Sequence, residues 1–175
     1  NRRIHADQLV WYYQTSVGLE EKYGHKIPGL MFCHIGLPEV RDLITATKIA
    51  APHVSTPDPN APVRPRPPMV NGGLFGAVLD RGDVKGIFFG HTHEYNFAHD
   101  WMGVMLGYDS VAAFRGYPHL TPDYSAPDFK GYPPESEEDP AVKTSRGARV
   151  FLIEQSDPWA WKTWMRLGDG SRKDD

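Results

Sequence analysis

The chain has 175 residues, of which 40% are hydrophobic and 23% charged, and this composition fits one globular domain with a sizeable core. The net charge of −3 and the scattered lysine and arginine residues exclude an electrostatic basis for binding nucleic acid or an anionic membrane. No apolar run approaches the length of a membrane span, and a single cysteine excludes an intrachain disulfide.

The first part of the chain has the pattern of a helix. Apolar residues recur at roughly helical spacing from Ala6 to about Tyr23, with Asp7 as a candidate N-cap and Gly24 as a candidate stop. Neither an initiator methionine nor a signal-peptide pattern precedes this helix. We expect from this abrupt start that the chain is a piece of a longer polypeptide.

A short buried strand is predicted at residues 30–33, which are all apolar. His34 follows this strand directly, and Pro38 prevents the segment from continuing as sheet. The strand therefore ends with a histidine at its carboxyl edge.

The next part of the chain joins a loop to a short helix. Residues 51–70 contain seven prolines, which predicts an extended, exposed loop. Residues 71–80 have the apolar spacing of a short amphipathic helix, and residues 81–83 read Arg-Gly-Asp. We interpret this tripeptide as a turn ahead of a strand and not as an adhesion motif.

The most informative segment is residues 86–93, which read Gly-Ile-Phe-Phe-Gly-His-Thr-His. The apolar residues complete a buried strand over 84–89, and Gly90 lets the backbone turn sharply as it leaves the sheet. His91 and His93 then lie just beyond the carboxyl end of the strand, where open α/β sheets bind their ligands. Because imidazole is a ligand for Zn, Fe, Ni and Cu, this pattern indicates a metal site.

The second half of the chain is predicted to contain three strands and a loop. Residues 101–108 have the pattern of one strand with glycines at bulge positions, and residues 116–141, rich in proline, tyrosine and acid, read as a solvated loop. Residues 148–154 and 159–167 form two further strands joined by a turn. We expect the three tryptophans of the last strand, Trp159, Trp161 and Trp164, to be largely buried or to cover a sheet edge.

Three of the eight histidines are candidate metal ligands, because each follows an apolar strand whose end would lie at one edge of a parallel sheet. These residues are His34, His91 and His93. An alternative for His34 is that it binds no metal and that its ring only forms a hydrogen bond in a turn. The other five histidines read as surface or loop residues: His5, His25, His53, His99 and His119.

Four segments together resemble the calcineurin-like metallophosphoesterases, in their purple-acid-phosphatase-related branch. Residues 32–39 read Phe-Cys-His-Ile-Gly-Leu-Pro-Glu and residues 71–75 read Asn-Gly-Gly-Leu-Phe. Residues 82–97 contain the Gly-His-Thr-His motif, and residues 146–151 read Arg-Gly-Ala-Arg-Val-Phe. The resemblance implies an α/β (α+β) fold that is half of a four-layer α/β/β/α sandwich.

The resemblance also implies a function for the parent domain, which is hydrolysis of phosphate esters by a metal-bound hydroxide. Two metal ions, divalent or trivalent Fe, Zn or Mn, would lie at the carboxyl edge of the sheets. His34 and His91 would bind one metal and His93 the other. The implied partners are a phosphate-ester substrate and the N-terminal half of the domain.

The motifs that would complete such a site are absent from the sequence. Asp-x-His, Gly-Asp-x-x-Asp and Gly-Asn-His-Asp/Glu, which supply the other ligands in the family, do not occur. Residues 1–175 therefore resemble the C-terminal part of one phosphoesterase domain, for which we assign no catalytic residue. We expect this chain alone to be inactive.

A second hypothesis has no catalysis. In it the chain is a degenerate family member whose histidines hold a single metal, and the proline-rich loops form a binding surface. The upstream coding sequence would distinguish the two hypotheses, because the three missing motifs would be found there only if the protein is an enzyme.

Overall fold

A computed structural model describes residues 3–47, 67–92, 96–109 and 147–174. Within these ranges the chain forms helices and two sheets, so the predicted α/β class is confirmed, whereas the four-layer sandwich stays a prediction. Most of the predicted loop at 51–70 and all of the loop at 116–141 lie outside the described residues. In chain order the elements are α1 (Ala6–Tyr23), β1 (Gly29–Cys33), α2 (Glu39–Thr47), α3 (Leu74–Arg81), β2 (Val84–Phe89), β3 (Phe97–Trp101), β4 (Val104–Tyr108), β5 (Gly147–Glu154), β6 (Asp157–Leu167) and β7 (Arg172–Lys173).

The chain divides into two compact units. The first contains α1, α2, α3, β1, β2 and most of β3 and β4, and the second contains β5, β6 and β7. Where the structure describes helices, none has the length and apolar character needed to cross a membrane.

The predicted first helix is confirmed, but its N-cap differs from the expected one. Gly24 ends α1 in the left-handed conformation at φ 74°, as a C-terminal glycine commonly does. The N-cap is His5 instead of Asp7, and the His5 backbone N–H donates to Gln8 Oε1 at 2.9 Å. Asp7 lies in the first turn, where its charge is favourable to the helix dipole.

The sheet of the first unit has the strand order β1-β2-β4-β3. β1 and β2 are parallel, and Cys33 pairs with Phe89 at their carboxyl ends. Ile87, Phe88 and Phe89 in β2 are fully buried, which is why this strand reads as a continuous apolar run in the sequence.

α2 is a helix that the sequence analysis did not predict. Its buried residues are Val40, Leu43 and Ile44, at the i, i+3, i+4 spacing of an amphipathic helix. The signal was therefore present, but it spans only nine residues directly after a proline. Over such a length apolar spacing is a weak indicator.

The strand predicted over 101–108 is confirmed only for residues 104–108, which form β4. A two-residue turn at Met102 and Gly103 separates β4 from β3, which ends at Trp101. Both turn residues have positive φ, 56° and 84°, as the central residues of a type I′ hairpin turn do. Gly103 is thus a turn residue and not a bulge.

The second unit contains the predicted antiparallel pair β5 and β6, extended by the short β7. Met165 in β6 is fully buried, and the Phe151 and Trp161 rings lie 6.2 Å apart. The tryptophan expectation holds only in part. Trp161 and Trp164 are half-buried, whereas Trp159, near the turn, is 40% exposed.

Candidate functional site

Two of the three predicted histidines lie together at the carboxyl ends of paired parallel strands. His34 directly follows β1, and His91 follows β2 by two residues. Their ring centroids are 5.2 Å apart, with the rings inclined at 69°. Parallel pairing of β1 with β2 therefore brings together residues that are far apart in the sequence.

Gly90, which joins β2 to His91, lies close to both Cys33 and His34. The Gly90 N–H donates to the Cys33 carbonyl, and a Cβ at position 90 would lie 3.4 Å from His34 Nδ1, in van der Waals contact. Gly90 therefore lies directly beside the His34 ring.

His91 itself has φ 68°, in the left-handed region that residues other than glycine rarely adopt. Such a conformation is maintained only where the surrounding structure determines it. This unusual backbone conformation therefore occurs at His91, one of the metal ligands predicted from the sequence.

The remaining histidines fall into two groups. His93, His53 and His119 lie outside the described residues. His5 caps α1, His25 is exposed with Nδ1 2.9 Å from the Tyr23 carbonyl oxygen, and His99 is exposed on β3. None of these three described side chains is part of the His34–His91 pair.

The donors in the described ranges do not fit a two-metal centre. No group of three or more His, Cys, Asp or Glu side chains positioned to hold a metal ion occurs in those ranges. Structural zinc sites use four protein ligands and catalytic zinc sites use three, and a two-metal centre clamps two cations about 4 Å apart. His34 and His91 supply two imidazoles, so we derive no chemical step through a metal.

A small cavity lies beside His34, which the sequence analysis did not foresee. It has a volume of about 360 Å³, and its lining includes Arg3, Gln8, His34 and Leu37. Arg3 is an exposed cation at this cavity, and a guanidinium matches the geometry of a phosphate or carboxylate. No sequence pattern indicates that Arg3 lies near His34, because the two residues are far apart in the sequence.

A second cluster, also missed from the sequence, surrounds the aspartate of the Arg-Gly-Asp segment. Asp83 is only 7% exposed and accepts hydrogen bonds from Tyr12 Oη at 2.6 Å and from Ser16 Oγ. Arg81 Nε donates to Ser16 Oγ at 2.7 Å and also pairs with Glu20. The segment therefore ties α3 and β2 to α1, in agreement with its interpretation as a structural turn.

The electrostatics of this cluster favour an ionised aspartate. Burial by itself would raise the pKa of the Asp83 carboxyl, but the hydrogen bonds from Ser16 and Tyr12 outweigh burial, so the pKa lies below its ordinary value. Burial raises the pKa of the Tyr12 hydroxyl, and the hydrogen bond to Asp83 raises it further. The shifts keep Asp83 ionised and Tyr12 protonated, as the hydrogen bond from Tyr12 to Asp83 requires.

Two curated plant proteins resemble the chain. It is 29% identical over 121 residues to a protein of Arabidopsis thaliana named probable inactive purple acid phosphatase 14, and 31% identical over 121 residues to probable inactive purple acid phosphatase 29 of the same plant. Each match covers 65% of this chain but 28% or 29% of the relative, so the chain spans less than a third of the relatives' length. Neither a family model nor a solved structure matches the chain.

Both relatives carry the same family name, which agrees with the motifs around His34 and His91. The region that they share with this chain is therefore similar to proteins named as purple acid phosphatases.

Proposed function

We propose that this chain is the C-terminal part of a phosphoesterase domain and that it contributes His34 and His91 to a metal-dependent site for phosphate esters. One observation carries the proposal, which is the 5.2 Å separation of the two rings at the ends of two parallel strands. Two imidazoles in this position, beside a cavity lined by Arg3, provide metal donors and a cation for an anionic ester. His93 is included in the proposal as a third donor.

The proposal assigns activity to the parent domain and none to this chain alone. The pair of imidazoles is too few donors to hold two cations, and the family's carboxylate motifs do not occur in the sequence. A complete domain would have to supply them from residues beyond these 175.

A second candidate is a non-catalytic member of the family that binds a single metal. One observation favours it, which is that both curated relatives are named inactive. In this case the histidines would have a structural or binding role.

The first experiment measures Zn²⁺ binding to the 175-residue chain by isothermal titration calorimetry. We expect one binding event that His34→Ala and His91→Ala each weaken by at least about tenfold, because each removes one of few donors. His99→Ala is the matched control, since it removes an exposed histidine outside the pair. Binding that His34→Ala and His91→Ala leave unchanged would show that the pair is not the site.

The same variants and Arg3→Ala can be titrated with inorganic phosphate in the presence and absence of Zn²⁺. Phosphate binding that needs both the metal and Arg3 would support an ester site. Metal binding without any phosphate binding would favour the non-catalytic candidate.

A further inference from the structure

A hydrogen bond joins two segments of the first unit that the proposed function does not use. Asn71 Nδ2 donates to Glu39 Oε1 at 2.6 Å, although the two residues are 32 positions apart in the sequence. Glu39 is half-buried and is the first residue of α2, whereas Asn71 lies in the loop that leads into α3. The bond therefore ties the start of α2 to this loop.

The loop itself has a defined local shape. Asn71 Oδ1 accepts from the Gly73 N–H at 2.8 Å, which closes an Asx-turn. Gly73 has φ 87°, and its carbonyl accepts from the Ala77 N–H in the first turn of α3. Gly72 is thus held between one residue fixed to α2 and another fixed to α3.

Gly72 lies directly against the backbone of Ile4, the residue before the N-cap of α1. A Cβ at position 72 would overlap the Ile4 carbonyl oxygen and would lie 3.1 Å from the carbonyl carbon. Gly72 does not have a positive φ, so this contact, and not the backbone conformation, requires a glycine. A larger residue would push the two segments apart by about 1 Å before they reached ordinary van der Waals separation.

These contacts form a continuous path along the wall of the cavity beside His34. The path runs from His34 to the start of α2, across the hydrogen bond of Asn71 and across the Gly72 contact to the segment before α1. Residues along it line the cavity: Arg3, Ile4, His34, Pro38, Val70 and Gly72. The position of the Arg3 backbone relative to His34 therefore depends on contacts between segments that are distant in the sequence.

We propose that Asn71 and Gly72 are positioning residues that hold Arg3 beside His34 as a cation for the phosphate group, an inference that rests on the function proposed above. Arg3 is exposed, and its side chain is long and has many rotamers, so the place of its backbone limits where the guanidinium can reach. Displacing a group that orients a ligand by about 1 Å is sufficient to weaken its effect by an order of magnitude or more.

The test measures binding of Zn²⁺ and of inorganic phosphate to the 175-residue chain by isothermal titration calorimetry. Gly72→Ala is the variant, and Gly76→Ala is the matched control, because Gly76 is exposed on α3, where a Cβ would meet open space, and does not line the cavity. We expect Gly72→Ala to weaken phosphate binding in the presence of Zn²⁺ by at least about tenfold and to change the Zn²⁺ affinity by less than about twofold. Gly76→Ala should change neither affinity.

A second set of variants keeps the test decisive if Gly72→Ala does not fold. Asn71→Asp retains the acceptor for the Gly73 N–H but places a carboxylate against that of Glu39, so the two repel each other. Adding Glu39→Gln to Asn71→Asp restores a donor and an acceptor with their places exchanged. The double variant should therefore recover most of the phosphate affinity that Asn71→Asp loses.

The outcomes separate this inference from the proposed function. Wild-type phosphate affinity in folded Gly72→Ala or in Asn71→Asp would overturn the positioning role and leave the proposed function intact. Equal losses of Zn²⁺ and phosphate binding in both variants, or no recovery in the double variant, would overturn it in favour of a general role in folding. A wild-type chain that binds Zn²⁺ but no phosphate would overturn the proposed ester site, and the inference with it.

Discussion

His91 combines a candidate ligand with an unusual backbone, since its φ is 68°. We expect His91→Gly to be more stable than His91→Ala by about 1 kcal/mol, because only glycine adopts this conformation without steric cost. The measurement is the free energy of unfolding in denaturant. Both variants lose the imidazole, so their difference reports the backbone alone, and equal stabilities would mean that the backbone at position 91 is not strained.

Asp83 is a second residue whose environment has a measurable consequence. We expect Asp83→Asn to lower the free energy of unfolding by about 1–3 kcal/mol near neutral pH, because two donors on α1 lose their charged acceptor. Asp80→Asn, a change at an exposed aspartate three residues earlier, should have little effect.

The pH dependence of this difference has a defined sign. The folded pKa of Asp83 is lowered, so its contribution to stability is complete above the unfolded pKa of about 4 and is lost as pH falls through the folded pKa. The gap between the wild type and Asp83→Asn should therefore shrink as the pH is lowered from about 6 to about 3. A gap that stays constant over this range would contradict the lowered pKa.

At the scale of elements, α1 provides two glycines with opposite predicted effects. Gly18 lies inside the helix and Gly24 ends it at φ 74°, and a Cβ at either position would meet open space. We expect Gly18→Ala to stabilise the protein by up to about 1 kcal/mol and Gly24→Ala to destabilise it by about as much. Thermal unfolding followed by circular dichroism measures both. Two changes of the same sign would show that the end of α1 is not determined by its left-handed cap.

The elements also differ in how well their sequence patterns predict them. β2 is a continuous apolar run because it is buried, and α1 is long enough for helical spacing to be recognised. α2 and the turn at Met102 were missed. The first is short, and the second needs a positive φ at a methionine, which no local propensity indicates.

At the scale of the whole molecule, we expect no hydrolysis of p-nitrophenyl phosphate by the 175-residue chain with added Zn²⁺ or Mn²⁺. The reason is ligand count, because the motifs that would supply carboxylates to two cations do not occur in the sequence. Turnover by the chain alone that disappears in His91→Ala would contradict this prediction. An extended chain that contains all the missing motifs and is still inactive would favour the non-catalytic candidate.

The sequence by itself indicated the candidate metal ligands and most of the local elements of this protein. Apolar runs followed by His34 and His91, and the motifs around them, were sufficient to predict two strands, a candidate metal site and the resemblance to purple acid phosphatases. These features depend on neighbouring residues, so they can be recognised in a linear pattern.

Only the tertiary structure decided which side chains meet. Parallel pairing of β1 with β2 brings the two rings to 5.2 Å, and the packing of α1 on α3 joins Tyr12 to Asp83. Among the described residues, the same packing places β1 at the end of the sheet, in a groove that Trp11 also lines. Contacts between distant residues depend on how whole elements bury their apolar faces, and this is set by the assembled sheet and helices and not by any local pattern.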